Sequence, residues 1–141
     1  MNPATLAIVA PMLTGHEGKR AKPYKCTAGK LTIGIGRNLD DRGLSEDEIQ
    51  YLFANDLRQA EGDAKLAVGH ATYVNLSAAR QAVLVDMAFN LGHARLVGFQ
   101  NTLLAVRQGR YDDAAQGMLK SKWAQQVGAR AVRLADMMKR G

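Results

Sequence analysis

The stretch HEGKRAKPYKCTAGKLTIGIG, residues 16–36, decides how the rest of the chain is read. It carries one acid, Glu17, ahead of a thiol at Cys26 and a hydroxyl at Thr32. Thr27-Ala28-Gly29-Lys30 is a turn signal, Leu31-Thr32-Ile33 has strand propensity, and Gly34 and Gly36 allow close backbone approach. The pattern predicts a small antiparallel hairpin within 24–39 that brings a carboxyl, a thiol and a hydroxyl together, the outline of an active site. Gly34-Ile35-Gly36 lacks a third glycine at dinucleotide-binding spacing and follows no long buried strand, which argues against a nucleotide cofactor.

Toward the N-terminus, Asn2 suits an N-cap and Pro3 the first helical position. The helix that follows is expected to bend at Pro11, and a short helix from Met12 is expected to end at Gly18 with Glu17 in its last turn. Ala4 to Leu13 is apolar, but no Lys or Arg precedes it, Pro11 interrupts it, and it is too short to span a bilayer. It reads as helix, with no signal peptide recognised. The expectation is a chain made in the cytoplasm that needs help to leave it.

Toward the C-terminus, residues 40–43 form a polar turn, and Ser45-Glu46-Asp47-Glu48 reads as a capping box. Ile49, Leu52, Phe53, Leu57 and Ala60 then recur at helical spacing, and the helix should stop between Leu66 and Gly69. At 1.5 Å per residue such a helix is about 30 Å long, enough to connect two lobes. Ser77 caps a helix apolar on several faces, which Gly92 stops; short helices follow over 101–108 and 112–119, and a last one runs from Val127 or Gly128 to Arg140. The fold class is α+β and mostly α: one domain, with a hairpin lobe over about 17–60, a helical lobe over about 61–141 that also takes the N-terminal helix, and a cleft between them.

The 141 residues are 47% hydrophobic, enough for a real core, and only 6% aromatic, so aliphatic side chains and Met must fill it. A net charge of +6 attracts the surface to anionic polymers, including an anionic bacterial envelope. The basic residues are scattered and form no nucleic-acid module, so no specific nucleic-acid partner is expected. Cys26 is the single cysteine, which excludes an intramolecular disulfide, and His16, His70 and His93 stand apart, so no metal site or other cofactor is expected.

Glu17-Gly18, then Pro23-Tyr24-Lys25, Thr27, Gly29 and Thr32-Ile33-Gly34-Ile35-Gly36, resembles the phage-type lysozymes, glycoside hydrolase family 24. RQAVLVDMAFNLG at 80–92, Gly98-Phe99, KSKW at 120–123 and RAVR at 130–133 resemble that family's second lobe. The resemblance implies a lysozyme-like fold and a muramidase that cuts the β-1,4 bond between N-acetylmuramic acid and N-acetylglucosamine in peptidoglycan. It implies phage-induced lysis, with a holin or a virion delivering the chain to the wall, and a protein that works as a monomer. Glu17 would donate the proton to the leaving oxygen. Cys26 stands where the family often has Asp and would support the developing positive charge or orient water, while Thr32 would hold the attacking water. Arg130 matches the family arginine beside the catalytic acid, and Asn90 and Gln126 match polar residues that hydrogen-bond the saccharide, for which amides are suited because they both donate and accept. Trp123 reads as core, and Arg37, where many relatives have His, is expected to balance Asp40 or Asp41.

Two rival readings stay open at this level. A lytic transglycosylase also uses one Glu and needs no water nucleophile, which Cys26 in place of Asp keeps in view. A cationic protein that disrupts walls or membranes without cleavage would draw on the basic helix from Arg130 to Arg140, although its Ala, Val, Leu and Met pattern resembles ordinary packing.

Overall fold

A computed structural model describes residues 1–141. The architecture is α+β and mostly helical, a lysozyme-like arrangement with one three-stranded antiparallel sheet in the order β1-β2-β3. The chain divides into two compact units, Met1–Gln50 and Tyr51–Gly141.

The first unit opens with α1, Pro3–Glu17, capped by the Asn2 side chain, which accepts from the Ala4 N–H at 2.8 Å. The expected division at Pro11 does not occur, and one continuous helix carries the proline inside it. The ring removes only the hydrogen bond to the Ala7 carbonyl, and Ala7 and Pro11 are both exposed, so water can serve that carbonyl. Gly18 ends the helix, its N–H donating to the Thr14 carbonyl at 3.0 Å.

Strands β1, Arg20–Lys25, and β2, Leu31–Gly34, form the expected hairpin, with Tyr24 opposite Thr32 and Lys25 opposite Leu31. Register slips between Arg20 and Tyr24, where Pro23 cannot donate to the ladder. A third strand absent from the sequence reading, β3 at Arg37–Asn38, places Asn38 on the other side of Thr32. Thr32 thereby sits at the centre of the sheet and is the one buried side chain of this unit.

Helix α2, Glu46–Val68, starts as expected. The Ser45 N–H donates to Glu48 Oε2 at 2.8 Å, and the Glu48 N–H reaches Ser45 Oγ at 3.4 Å, the reciprocal pair of a capping box. Arg37 is the correction here. Its guanidinium grips both Glu48 oxygens, at 2.6 and 2.5 Å, and donates to the Gly43 carbonyl at 3.2 Å. Asp41 instead pairs with Lys30, and Asp40 accepts the Leu31 N–H. A guanidinium fork matches a carboxylate edge, and Glu48 is held in place by the cap it makes.

The second unit holds the apolar core. Ser77 caps α4, Ala78–Leu91, through the Arg80 N–H. One face of α4, with Val83, Leu84, Met87, Ala88 and Leu91, is buried, while Phe89 stays exposed. Against it packs α9 (Ala129–Arg140), through Ala131, Leu134, Ala135 and Met138; α7 (Tyr111–Leu119) packs on α9 and α6 (Gln100–Arg107) on α7, all in one apolar cluster. That packing face is the ordinary use of the basic helix's apolar positions. Three short helices, α3 (His70–Asn75), α5 (His93–Leu96) and α8 (Lys122–Val127), were not expected from periodicity.

Candidate active site

Glu17 is the last residue of α1, exposed, with no hydrogen bond inside its own unit. What its carboxyl touches is a backbone. A Cβ placed on Gly36 would lie 2.9 Å from Glu17 Oε2 and 3.0 Å from Cδ. The other acids of the hairpin region, Asp40 and Asp41, are committed to Leu31 and Lys30, so Glu17 alone is left to take or give a proton.

Cys26 is half-buried at the end of β1, where the hairpin turns back. Its N–H donates to the Lys30 carbonyl at 3.0 Å, and its carbonyl accepts the Gly29 N–H at 2.8 Å, which closes the turn. That closure points backbone N–H groups at the sulfur. Lys30 first, then Ala28, lower the thiol below its ordinary value, burial opposes them, and the Thr32 hydroxyl adds to the lowering. The turn favours negative charge at the sulfur.

Thr32 is 4% exposed, and its hydroxyl donates to the Lys30 carbonyl at 2.9 Å. Its one proton has two acceptors in reach, that carbonyl and the Cys26 sulfur, and the oxygen keeps a lone pair to which a water can donate. A water that donates to it keeps its own lone pair free to attack.

The residues predicted farther along fall in the second unit. Arg130 Nε donates to Asp86 Oδ1 at 2.8 Å, and Nη2 makes a longer contact with the Asp86 carbonyl at 3.4 Å. Asp86 was not singled out from the sequence, yet it is the only acid in α4 and stands among Val85, Met87 and Ala88, a signal that it needed a partner. Both residues line a cavity of about 470 Å³ with Arg133 and Met137.

Asn90 and Gln126 are both linked to Trp123, the first by a hydrogen bond and the second by a shared cavity wall. Trp123 is buried as expected, its Nε1 donates to Asn90 Oδ1 at 2.8 Å, and Phe99 meets its ring edge-on at 6.0 Å. One lone pair of the Asn90 side-chain carbonyl is therefore spent on the core, and its amino group is left for a ligand. Gln126 lines a larger cavity of about 630 Å³ with Trp123, Phe99, Asn101, Arg95 and Lys122. The two cations on that wall were missed by the sequence reading, since nothing in their neighbours marks them.

Comparison with known proteins places these residues in a family. The model of the phage lysozyme family matches residues 14–140. The chain is 26% identical to "Probable T4-type lysozyme 1" of Dictyostelium discoideum over 94% of each chain, and 26% identical to "Probable T4-type lysozyme 2" of the same organism over 92% of each. It is also 28% identical to "Pre-baseplate central spike protein Gp5" of Enterobacteria phage T4, over 94% of this chain and 28% of that longer protein. With a family match running from just before Glu17 to the end of the last helix, the chain belongs to the phage lysozyme family.

Proposed function

We propose that the protein is a muramidase, a glycoside hydrolase of family 24, that hydrolyses the β-1,4 bond between N-acetylmuramic acid and N-acetylglucosamine in bacterial peptidoglycan. The observation that carries this reading is the state of Glu17, an unpaired acid at a helix end, resting on the turn between β2 and β3 of the sheet that holds Thr32 and whose other turn begins at Cys26. Glu17 protonates the leaving glycosidic oxygen. Thr32 accepts a hydrogen bond from the attacking water, whose remaining proton passes to bulk solvent as the bond to the sugar forms, and Cys26, favoured toward its thiolate by the turn amides, supports the positive charge that builds on the sugar. Family resemblance supports attack on the face opposite the acid, with inversion.

Arg130 is proposed, on family resemblance, to orient Glu17; within its own unit its Nε is held by Asp86. Gln126 and the amino group of Asn90 are proposed to bind saccharide hydroxyl and acetamido groups. The proposal includes phage-induced lysis, for which likeness to a phage spike protein supports the phage setting, and a monomer that works at the wall after delivery from the cytoplasm.

The test is digestion of purified peptidoglycan with mass analysis of the released ends, wild type beside Glu17→Gln. Reducing muramic ends and a loss of about 100- to 10,000-fold in the variant are expected, the range that a positioned acid contributes. Release of 1,6-anhydro ends would make the enzyme a transglycosylase, and full activity in a folded Glu17→Gln would remove the acid assignment.

A further inference from the structure

The proposed acid leans on a glycine, and that contact has a function of its own. Three atoms of Glu17, namely Oε2, Cδ and Cγ, would lie 2.9, 3.0 and 3.1 Å from a Cβ at Gly36, and they are the nearest atoms such a Cβ would meet. Within its unit the carboxyl has no hydrogen bond to hold it. On this side its swing is therefore limited by sterics, with the bare Cα of Gly36 as the surface against which the side chain stops. From this geometry we infer that Gly36 is a positioning residue for the acid. Any side chain there displaces the carboxyl from the place where it can deliver its proton.

The inference rests on Glu17 being the acid, and it goes further by assigning a role to a residue with no chemistry of its own. The backbone of Gly36 has φ +71°, which already favours glycine, so a substitution strains the turn as well as pushing on Glu17. The same turn contains the control that separates the two effects. Gly34 has φ +67°, and a Cβ there would meet nothing within 4 Å. Alanine at Gly34 carries the strain alone, whereas alanine at Gly36 carries the strain and the displacement. Because the end of a glutamate side chain swings easily, the displacement itself costs the fold little. It costs the reaction more, since misplacing a catalytic group by about 1 Å can lower a rate about 100-fold.

The experiment compares Gly36→Ala, Gly34→Ala and Glu17→Gln by melting temperature and by kcat and KM on soluble peptidoglycan fragments. Similar melting temperatures are expected for the two glycine variants. A fall in kcat of about 100-fold at nearly constant KM is expected for Gly36→Ala alone. Equal kcat in the two glycine variants, whether both fall or neither does, overturns the positioning role. If Glu17→Gln stays active the acid assignment is what fails, and the positioning role falls with it; an inactive Glu17→Gln with matched glycine variants sinks the positioning role by itself. Should alanine prevent folding, the same pair of positions carrying asparagine, which tolerates positive φ better, repeats the comparison.

Discussion

Cys26 is the residue at which the family pattern and the side chain differ, and the hairpin turn decides what the difference means. The amides of Lys30 and Ala28 and the Thr32 hydroxyl favour negative charge at this position, and they would favour a carboxylate as readily as a thiolate. Cys26→Asp should therefore keep much of the activity, while Cys26→Ser, neutral at working pH, should lose it at an unchanged melting temperature. A destabilised Cys26→Asp beside a fully active Cys26→Ser would show that the thiol only packs. Alkylation by iodoacetamide should also be faster at neutral pH than for a free cysteine, and that advantage should disappear on unfolding. Asn90 calls for a different measurement, because its carbonyl already satisfies the buried indole of Trp123. Asn90→Ala should cost about 1–3 kcal/mol of stability by leaving the indole N–H unpaired. Gln126→Ala should leave the melt alone and raise KM; equal melting curves for the two variants would refute the distinction.

Among the elements, the join between β3 and α2 has the clearest electrostatic signature. Arg37 and the Ser45 N–H hold Glu48 at about 2, well below the ordinary 4.5. A carboxylate depressed in the folded state adds stability that is complete above the unfolded value and is lost as the pH falls through the folded one. Glu48→Gln should therefore melt below wild type at neutral pH, and the gap should close between pH 4.5 and about 2. A gap independent of pH would point to packing rather than charge. The same join shows what local sequence conveys and what it does not. Ser45 and Glu48 stand at capping-box spacing, so the start of α2 is legible, and the turn at 27–30 is legible from Gly29 and its neighbours. Arg37 lies across a turn from Glu48, and only the folded sheet brings them together. Helices α3, α5 and α8 are too short for a 3.6-residue period to repeat, and the turn of β2 into β3 hid a strand of two residues. In the site, Glu17, Cys26 and Thr32 share one local motif and could be read together. Asp86 and Gly36 act through distant partners, so only the folded chain reveals them.

At the scale of the whole molecule, burial is divided unequally along the chain, and this sets which part opens first. Every residue of the apolar core lies beyond Tyr51, on α2, α4, α6, α7 and α9 and the short helices between them. The first unit buries Thr32 alone and holds its sheet together with backbone pairing, the Arg37–Glu48 pair and the Lys30–Asp41 pair. Exposed ion pairs contribute little, and a three-stranded sheet without an apolar face of its own is marginal. Local opening free energies follow buried apolar contact, so the amides of β1, β2 and β3 should exchange with solvent hydrogen through a low-energy opening, while those of α4 and α9 should exchange only with global unfolding. Leu84→Ala, which removes a fully buried side chain from α4, should lower the global free energy by about 2–5 kcal/mol and speed exchange in α4 and α9. Exchange from β2 should be nearly unchanged by it, because its opening does not pass through the core. Equal protection in β2 and α4, or an equal response of both to Leu84→Ala, would mean that the chain unfolds as one cooperative unit. The outcome matters for the proposed chemistry, since Glu17, Cys26, Thr32 and Gly36 all lie in the less protected part, where a small local opening would dismantle the acid's support while the core stayed folded.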